Sequence, residues 1–367
     1  MSVHLQKLNV LGVRNLKPQN VELSQGLNVL LGANGSGKTS LLEAVSLLAL
    51  GRSFRTASAR SLIQHGSDYC LVQGRVVRSG QQHALGIQRF RNGAAHVRVD
   101  GSNAQSLTNL AELLPVVLLD TNSVDLVTGS PEGRRRFLDG TLFHVEQGFL
   151  SCWRAYQRAL RQRNAGLRRG TLAGDEAWRR EMARAGELLT GIRHEWVERL
   201  ANKTQSLGQD LSTSLEGLTL QFRPGWDVQR SLLAALDERL GSDRQQGFSQ
   251  TGPHRADVRI LVDGRPASEV LSRGQLKLAV TALKLSQGQL LAEAPAGAPL
   301  YLVDDIAAEL DAEHSLAVCA LLSNSHAQII LTSANQSDLE RLWPLQSIAL
   351  FHVEQGSITA KPTGISL

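Results

Sequence analysis

The sequence has 367 residues, of which 42% are hydrophobic and 4% aromatic, which is typical of a globular protein with one large or two ordinary domains. Its formal net charge is +5 and arginine is its main basic residue, which favours an acidic partner such as nucleic acid. Its three cysteines follow no disulfide or metal-ligand spacing, and no apolar run reaches the roughly 18 residues of a membrane span. The first thirty residues lack the basic-then-apolar layout of a signal peptide. We therefore expect a reduced, cytoplasmic protein that does not enter a membrane.

A glycine-rich loop follows the first strands. Strands are predicted at residues 3–12 and 20–23, and the apolar run at 27–31 predicts a short buried strand. The next residues contain the phosphate-loop pattern G-x-x-x-x-G-K-[ST], and they are Gly32, Ala33, Asn34, Gly35, Ser36, Gly37, Lys38, Thr39 and Ser40. Apolar residues at helical spacing follow, so backbone N–H groups and a helix N-terminus would face phosphate oxygens. Lys38 would reach the β- and γ-phosphates and the Thr39 hydroxyl would hold Mg²⁺, which predicts an ATP site.

The middle of the chain alternates sheet and helix patterns. A turn carries Arg52 and Arg55, either of which could touch nucleotide or DNA or remain solvated. Predicted strands at 71–77, 83–90 and 96–99 have a period of two and indicate an antiparallel meander, and a buried strand follows at 115–119.

A helical hairpin is predicted next, at residues 149–167 and 176–207. Arg154, Arg158 and Arg161 fall on one face of its first helix, which is either an exposed arm face or a DNA contact. A strand at 218–223, a helix at 231–240 and a strand at 259–262 complete this part.

Two later motifs specify the kind of nucleotide site. Residues 271–275, Leu-Ser-Arg-Gly-Gln, precede a helical pattern, and a serine and a glycine at a helix N-terminus make a second anion site. The apolar run at 299–303 ends in Asp304 and Asp305, the arrangement needed to hold Mg²⁺ and orient an attacking water. Glu309-Leu310-Asp311 and a buried strand at 328–331, which closes on Thr332-Ser333, come after it.

The order of phosphate loop, LSRGQ signature, Asp-Asp and ELD resembles that of ABC-type ATPase heads, especially the SMC-related group in which helices divide the head. More narrowly, LNVLLGANGSGKTSLLEA, GRSFRT, GSPEGRRRFLD, TGPHRADV, LSRGQLKLAVTALKLSQ and LVDDIAAELD resemble the RecF family of bacterial recombination mediators over nearly the whole chain. The resemblance implies an α/β P-loop ABC-type ATPase head with an antiparallel β subdomain, at residues 1–137 and 248–367. An α-helical arm would be inserted at residues 138–247.

The same resemblance implies a head-to-head dimer with ATP between the protomers. The phosphate loop, Asp304 and Asp305 would act from one subunit, and Ser272, Arg273, Gly274 and Gln275 would bind the nucleotide from the other. Lys38, Asp304 and Asp305 form the implied catalytic set, and Thr39 and Asp304 hold Mg²⁺. Asp305 stands where transporter ATPases carry a longer glutamate base. This predicts slow, DNA-stimulated ATP hydrolysis that times the opening of a clamp, and no helicase or nuclease activity.

The implied biological role is recombinational repair and replication restart in the SOS response to DNA damage. The dimer would bind double-stranded DNA near single-stranded gaps and gap junctions, and it would help load RecA together with RecO and RecR.

The sequence departs from the ABC pattern at two places. No glutamine follows the strand at Leu119, where Asn122 could take its place, and Thr332-Ser333 stand where a histidine switch is expected. A transporter-type ABC subunit, the main alternative together with another SMC-like ATPase, would need both features. A small-molecule P-loop kinase would have no use for the LSRGQ signature. The role of His254, in the GPHR segment, is left open between nucleotide contact and turn formation.

Overall fold

A computed structural model describes residues 3–56, 58–104, 107–171, 173–295, 297–343 and 348–361. The chain divides into two compact units, one formed by residues 1–123 and 273–367 and the other by residues 124–272. These units differ from the predicted domains at both junctions, because residues 124–137 and 248–272 pack with the helices. The assignment of a split head and an inserted arm remains a proposal.

The first unit contains an antiparallel sheet of six strands. They are β1 (Val3–Leu11), β2 (Gln19–Glu22), β4 (Tyr69–Arg78), β5 (Gln81–Phe90), β6 (Ala95–Val99) and β7 (Ser102–Asn103), in the spatial order β2-β1-β4-β5-β6-β7. This sheet confirms the predicted N-terminal strands and the meander that follows them.

A second six-stranded sheet in the same unit is parallel except at one edge. Its strands are β3 (Leu27–Leu31), β8 (Val116–Leu119), β12 (Leu300–Asp304), β13 (Ile329–Ser333), β14 (Ile348–Glu354) and β15 (Ser357–Ala360). The spatial order is β15-β14-β3-β13-β12-β8, and only β15 pairs antiparallel. The expectation that β13 ends at Leu331 is wrong, because Thr332 and Ser333 are buried and pair with the end of β3.

Seven helices accompany these sheets in the described part of the first unit: α1 (Lys38–Leu50), α2 (Ala59–Leu62), α3 (Thr108–Leu113), α11 (Arg273–Glu293), α12 (Ile306–Glu309), α13 (Ala312–Asn324) and α14 (Gln336–Leu342). Helix α1 lies between the two sheets, contacting β4 and β5 on one side and β12 and β13 on the other. It is therefore buried around nearly its whole circumference. A Cβ at Gly74 would meet the side-chain methyl groups of Leu48 and Leu5, so glycine lets this helix approach β4 closely.

A buried glutamine links the two sheets. The Leu5 backbone N–H donates to Gln328 Oε1 over 2.7 Å, and Gln328 Nε2 donates to the Leu5 carbonyl over 2.9 Å. The same nitrogen also donates to the Ser24 carbonyl over 2.6 Å. The Leu5 contacts satisfy backbone groups where the register of β1 against β4 shifts, between Leu5 and Lys7.

The second unit is mainly helical. Its helices are α4 (Asp125–Thr128), α5 (Pro131–Val145), α6 (Phe149–Arg169), α7 (Asp175–Leu211), α8 (Leu232–Glu238), α9 (Leu240–Gln246) and α10 (Ala267–Val270). An antiparallel sheet, in the order β11-β10-β9, is formed by β9 (Leu218–Arg223), β10 (Asp257–Val262) and β11 (Arg265–Pro266).

Helices α6 and α7 pack against each other as the predicted hairpin. Gly170 ends α6 in the left-handed region at φ 68°. The single helix expected at 231–240 is wrong, because α8 and α9 separate at Arg239. No helix within the described ranges combines the length and the apolar character needed to cross a membrane.

Candidate functional site

The phosphate-loop residues connect β3 to α1, as the sequence predicts. Gly35 and Gly37 have φ of 80° and 118°, which glycine adopts without strain. A Cβ at Gly32 would collide with the carbonyl of Val353 on β14. These three glycines therefore allow the loop to curve and to pack closely against β14. Without side chains there, the backbone N–H groups of the loop stay accessible to a ligand.

Two segments that the sequence analysis did not single out hold the loop in shape. Asn15 donates from Nδ2 to the Gly35 carbonyl over 3.1 Å and accepts a 2.8 Å hydrogen bond from the Ser40 hydroxyl. The backbone N–H of Gly356, in the β14–β15 turn, donates to the Ser36 carbonyl over 2.8 Å. Both contacts join residues that are far apart in the sequence, so they cannot be predicted from a local sequence pattern.

Lys38 lies inside the curve of the loop. Its Nζ donates to the carbonyls of Gly32 and Ala33 over 2.7 and 3.1 Å. Burial lowers the pKa of Lys38, while the nearby charges of Asp305 and Asp304 raise it. The ammonium group is thus held between the loop and the carboxylates at the end of β12.

Asp304 joins three elements at the carboxyl edge of the parallel sheet. It is the last residue of β12 and pairs with Thr332 of β13. The Thr39 hydroxyl of α1 donates to its two carboxylate oxygens over 3.0 and 3.1 Å, and the Thr332 hydroxyl donates to Oδ1 over 2.8 Å. Burial raises the pKa of Asp304, and the hydrogen bonds from Thr332 and Thr39 oppose that rise.

Asp305 occupies a special backbone position beside this carboxylate. Its φ is 48°, in the left-handed region, and it precedes the first residue of α12. Its backbone N–H donates to the Thr332 hydroxyl over 2.9 Å. Thr332, which stands where a histidine switch was expected, therefore fixes both neighbouring aspartates.

The loop and the carboxylate edge fit a nucleotide with its metal ion. Ser36 Oγ is buried and has no hydrogen-bond partner within the described residues, and it lies in the loop that would surround phosphates. Thr39 and Asp304 present adjoining oxygen ligands, the type that Mg²⁺ prefers.

The arginine turn after α1 is anchored on a buried glutamate. Arg14 forms two hydrogen bonds with the Glu43 carboxylate, over 2.8 and 2.9 Å, and the Ser53 hydroxyl donates to the same group. Arg55 lies 3.8 Å from Glu43 and is also close enough to Asp304 to lower its pKa. The charge of Arg55, one of the two turn arginines, therefore reaches the site.

A half-buried lysine of α11 lies against the end of β8, in the region where a glutamine loop was expected. Lys284 of α11 donates to the Leu118 carbonyl and the Ser123 hydroxyl, and its Nζ lies 3.4 Å from Asp120 Oδ1. Burial lowers the pKa of Lys284 and Asp120 raises it. The side chain of Asn122, the expected substitute, lies outside the part of the chain that the structure describes.

The signature residues form the exposed start of α11. Ser272, Arg273 and Gly274 are exposed and Gln275 is half-buried, while Leu276 begins the buried face of the helix. The groups that shape the phosphate loop come instead from Asn15, Gly356 and the β12 edge, as described above.

Comparisons with known proteins identify the family. The model of the RecF/RecN/SMC N terminal domain matches residues 4–359. Proteins named "DNA replication and repair protein RecF" from Stutzerimonas stutzeri and Pseudomonas fluorescens are 44% and 45% identical over 367 and 360 residues, covering 98% and 97% of this chain and 99% and 98% of theirs. This chain belongs to the RecF family.

Solved structures support the fold of this RecF family member. A structure described as the recombination mediator protein RecF with ATP, in the RecFOR pathway, has a TM-score of 0.86 at 25% identity and covers 98% of both chains. The Smc head domain of Pyrococcus furiosus, with a TM-score of 0.59, 17% identity and coverage of 98% and 96%, shares the fold alone. The predicted fold class, an SMC-type ATPase head, is confirmed.

The GPHR segment has a structural role in the second unit of this RecF family member. His254 Nε2 is 2.8 Å from the Ser249 carbonyl and must donate to it, so Nδ1 accepts the 2.7 Å hydrogen bond from the Tyr156 hydroxyl. Burial lowers the pKa of His254 to about 4, which keeps the ring neutral. Of the two roles left open for His254, the structure therefore supports turn formation.

The GRRRFLD segment is tied to the same turn through ion pairs and hydrogen bonds that are buried or half-buried. Arg134 forms two hydrogen bonds with Asp257, over 2.7 and 3.1 Å, and Arg135 donates to the Ala256 carbonyl. Arg193 pairs with both oxygens of Asp139 and donates to the Pro253 carbonyl over 2.8 Å. The charges of Arg134 and Arg193 are therefore neutralised by carboxylates of the same unit.

Because the pKa of Asp304 is raised, we expect this carboxyl to lower the free energy of unfolding at neutral pH and to lose that effect at low pH. Above that pKa, the native state carries a desolvated carboxylate whose charge opposes folding; below it, the carboxyl is protonated and this cost disappears. We expect Asp304→Asn to raise the midpoint of thermal unfolding near pH 7 without nucleotide, and the difference from wild type to shrink as the pH is lowered. Glu313→Gln, an exposed change on α13, is the control. A lower midpoint for Asp304→Asn near pH 7 would contradict this assignment.

Proposed function

We propose that this chain is an ATP-driven, DNA-binding clamp of recombinational repair and replication restart. The observation that carries the proposal is the junction at which Thr39 and Thr332 both donate to Asp304 beside Lys38. This junction has the parts that phosphoryl-transfer sites of the P-loop class use: a phosphate-binding loop, a lysine and a carboxylate at the end of a neighbouring strand.

ATP would bind with its phosphates in the curve of residues 32–40. The backbone N–H groups of the loop and the N-terminus of α1 would donate to the phosphate oxygens. The Ser36 hydroxyl would gain the partner that it lacks, and Lys38 would exchange its two backbone carbonyls for the β- and γ-phosphates. Arg55 would stabilise negative charge from the side of α1.

Thr39 and Asp304 would hold Mg²⁺. Their contact already brings a hydroxyl and a carboxylate together, and a cation would replace the hydrogen bonds that now offset the burial of Asp304. When bound, Mg²⁺ supplies positive charge to the phosphate oxygens.

Asp305 would orient the attacking water and accept its proton. Its backbone is fixed through Thr332, but its side chain is one methylene shorter than a glutamate. The water would therefore be held less well, and hydrolysis would be slow enough to act as a timer for clamp opening.

The exposed signature residues would complete the site of a second protomer. Exposed hydroxyl, guanidinium and backbone N–H groups at the start of a long helix suit the γ-phosphate of a partner's nucleotide. Two such sites, related by a twofold axis, would make a closed dimer that forms only when ATP is present.

The proposed partners are double-stranded DNA, gap junctions, RecO and RecR, with RecA as the protein that is loaded. The basic net charge and the description of the solved RecF relative in the RecFOR pathway support this assignment. We propose the cytoplasm as the compartment, where Cys70, Cys152 and Cys319, all free thiols here, would stay reduced.

Sedimentation velocity with ATP, with and without duplex DNA, tests the clamp. We expect wild type to shift from monomer to dimer with ATP and to dimerise more tightly on DNA. Lys38→Ala should lose the shift because it loses phosphate affinity, and Ser272→Ala because it loses the contact across the interface. Lys361→Ala, an exposed change of equal charge, is the control. A wild-type protein that stays monomeric with ATP and DNA would contradict the proposal.

Steady-state ATP hydrolysis tests the role of Asp305. We expect wild-type turnover far below the ~10 s⁻¹ typical of enzymes, and an increase on addition of DNA. Asp305→Asn should reduce hydrolysis at least about 100-fold, because general-base catalysis supplies factors of that order, while the ATP-bound dimer persists. Glu313→Gln should hydrolyse ATP like wild type. Brisk turnover without DNA, or full activity in Asp305→Asn, would refute the assigned role.

A further inference from the structure

A second acidic residue lies at the sheet edge that carries Asp304. Strands β8 and β12 are parallel neighbours, and the last pair in their register joins Leu119 to Val303. Asp120 and Asp304 are the next residues along the two segments, and neighbouring strands lie about 4.8 Å apart. The negative charge of Asp120 raises the pKa of Asp304, which agrees with this placement. Two acids are therefore neighbours beside the phosphate loop.

Lys284 of α11 neutralises the first of these acids. Its Nζ lies 3.4 Å from Asp120 Oδ1 and donates to the Leu118 carbonyl and the Ser123 hydroxyl, so each N–H bond of the ammonium group has an acceptor. The Ser123 hydroxyl in turn donates to Asp120 Oδ1. Only 6% of the Asp120 side chain and 13% of the Lys284 side chain are exposed, so solvent and salt screen their charges little.

Asp304 is held in a different way. It accepts hydrogen bonds from the neutral hydroxyls of Thr39 and Thr332. Lys38 of the phosphate loop donates to two carbonyls of its own loop instead. The edge therefore carries one acid that is bonded to a cation and one acid that is bonded to neutral groups.

Helix α11 fixes the position of Lys284. The helix packs against β8. A Cβ at Gly288 would meet the ring and hydroxyl of Tyr301, so glycine also lets the helix lie close to β12. Because the acceptors of the Lys284 ammonium group all lie at the end of β8, this lysine is a fixed charge beside the metal-binding edge.

We propose that the Asp120–Lys284 pair sets the affinity of the ATP site for Mg²⁺, with Lys284 as a counter-cation that cancels the charge of Asp120. The role rests on the proposed nucleotide site, at which Asp304 holds the metal ion. Two uncancelled acids side by side would share a proton or attract a cation without nucleotide. With Asp120 cancelled, Asp304 is the acid left to hold the ion together with ATP. Asp120 and Lys284 are positioning residues that act through their charge.

Equilibrium binding of a fluorescent, non-hydrolysable ATP analogue, titrated with Mg²⁺, tests the pair on the full chain. All variants carry Ser272→Ala, so that the titration reports one protomer without dimerisation. Lys284→Gln leaves the charge of Asp120 uncancelled, and we expect the half-saturating Mg²⁺ concentration to fall at least about 3-fold. Asp120→Asn leaves Lys284 uncancelled and should raise it by a similar factor. The double variant removes both charges and should return to within about 2-fold of the reference.

An exposed ion pair of the same unit supplies matched controls. Lys7 Nζ lies 3.6 Å from Glu22 Oε1 on neighbouring strands. Lys7→Gln and Glu22→Gln should leave the Mg²⁺ requirement unchanged, because solvent and salt screen exposed charges. The shifts of Lys284→Gln and Asp120→Asn should persist at raised salt concentration, since their side chains are shielded from solvent.

Thermal unfolding without metal or nucleotide provides a second readout. An uncancelled Asp120 makes the ionised carboxylate of Asp304 more costly, and an uncancelled Lys284 makes it less costly. The rise in the unfolding midpoint that Asp304→Asn causes near pH 7 should therefore be larger in the Lys284→Gln background and smaller in the Asp120→Asn background.

Shifts of opposite sign in the two single variants, cancelled in the double variant, are the expected result. Shifts of the same sign, or a double variant no closer to the reference than either single variant, would mean that the pair only stabilises the fold and would overturn the proposal. If Lys284→Gln alone does not fold, adding it to Asp120→Asn must still lower the half-saturating Mg²⁺ concentration. A reference protein that binds no ATP analogue would contradict the proposed nucleotide site itself, whereas normal binding with unshifted variants would contradict only the role of the pair.

Discussion

The structure of the candidate site depends on one half-buried carboxylate. Asp304 receives hydrogen bonds from Thr39 at the start of α1 and from Thr332 at the end of β13. It therefore joins two segments that are close to it in space but distant in the sequence. The strand order β3-β13-β12 makes this possible, because only one strand separates the phosphate loop from the carboxylate. Burial makes the charge costly, and the Mg²⁺ that we propose at this site would offset the cost.

That arrangement explains why the neighbouring groups are where they are. Lys38 is held against the carbonyls of its own loop, and its ammonium group lies near the carboxylates of Asp304 and Asp305. Binding of a nucleotide would redistribute these charges without moving the sheet, since the strands are fixed by their backbone pairing. The second unit follows a similar rule: the buried guanidinium of Arg163 contacts Asp175 and Asp243, and its charge is satisfied inside the unit.

Local patterns in the sequence predicted most of the fold, and long-range contacts explain what they missed. The loop between β3 and α1 follows from glycine spacing and apolar periodicity, and so does the Asp-Asp strand end. The contact of Gln328 with β1 has no local signature. The glutamine side chain takes the place of a backbone partner for Leu5, which lies more than 300 residues away in the sequence. Arg163 lies on the first helix of the predicted hairpin and is buried, and composition does not distinguish a buried arginine from an exposed one. The role of His254 could not be predicted without knowing that its ring accepts a hydrogen bond from Tyr156, which is distant in the sequence.

The most direct test of the central claim, a nucleotide site shared between two protomers, is ATP hydrolysis after mixing two inactive variants. Lys38→Ala and Ser272→Ala should each be inactive alone. In a mixed dimer, one site combines both defects and the other combines an intact phosphate loop with an intact signature. Only the mixed dimer contains an intact site, so an equimolar mixture should hydrolyse ATP well above the rate of either variant alone. A mixture no more active than the average of the two variants would contradict the account.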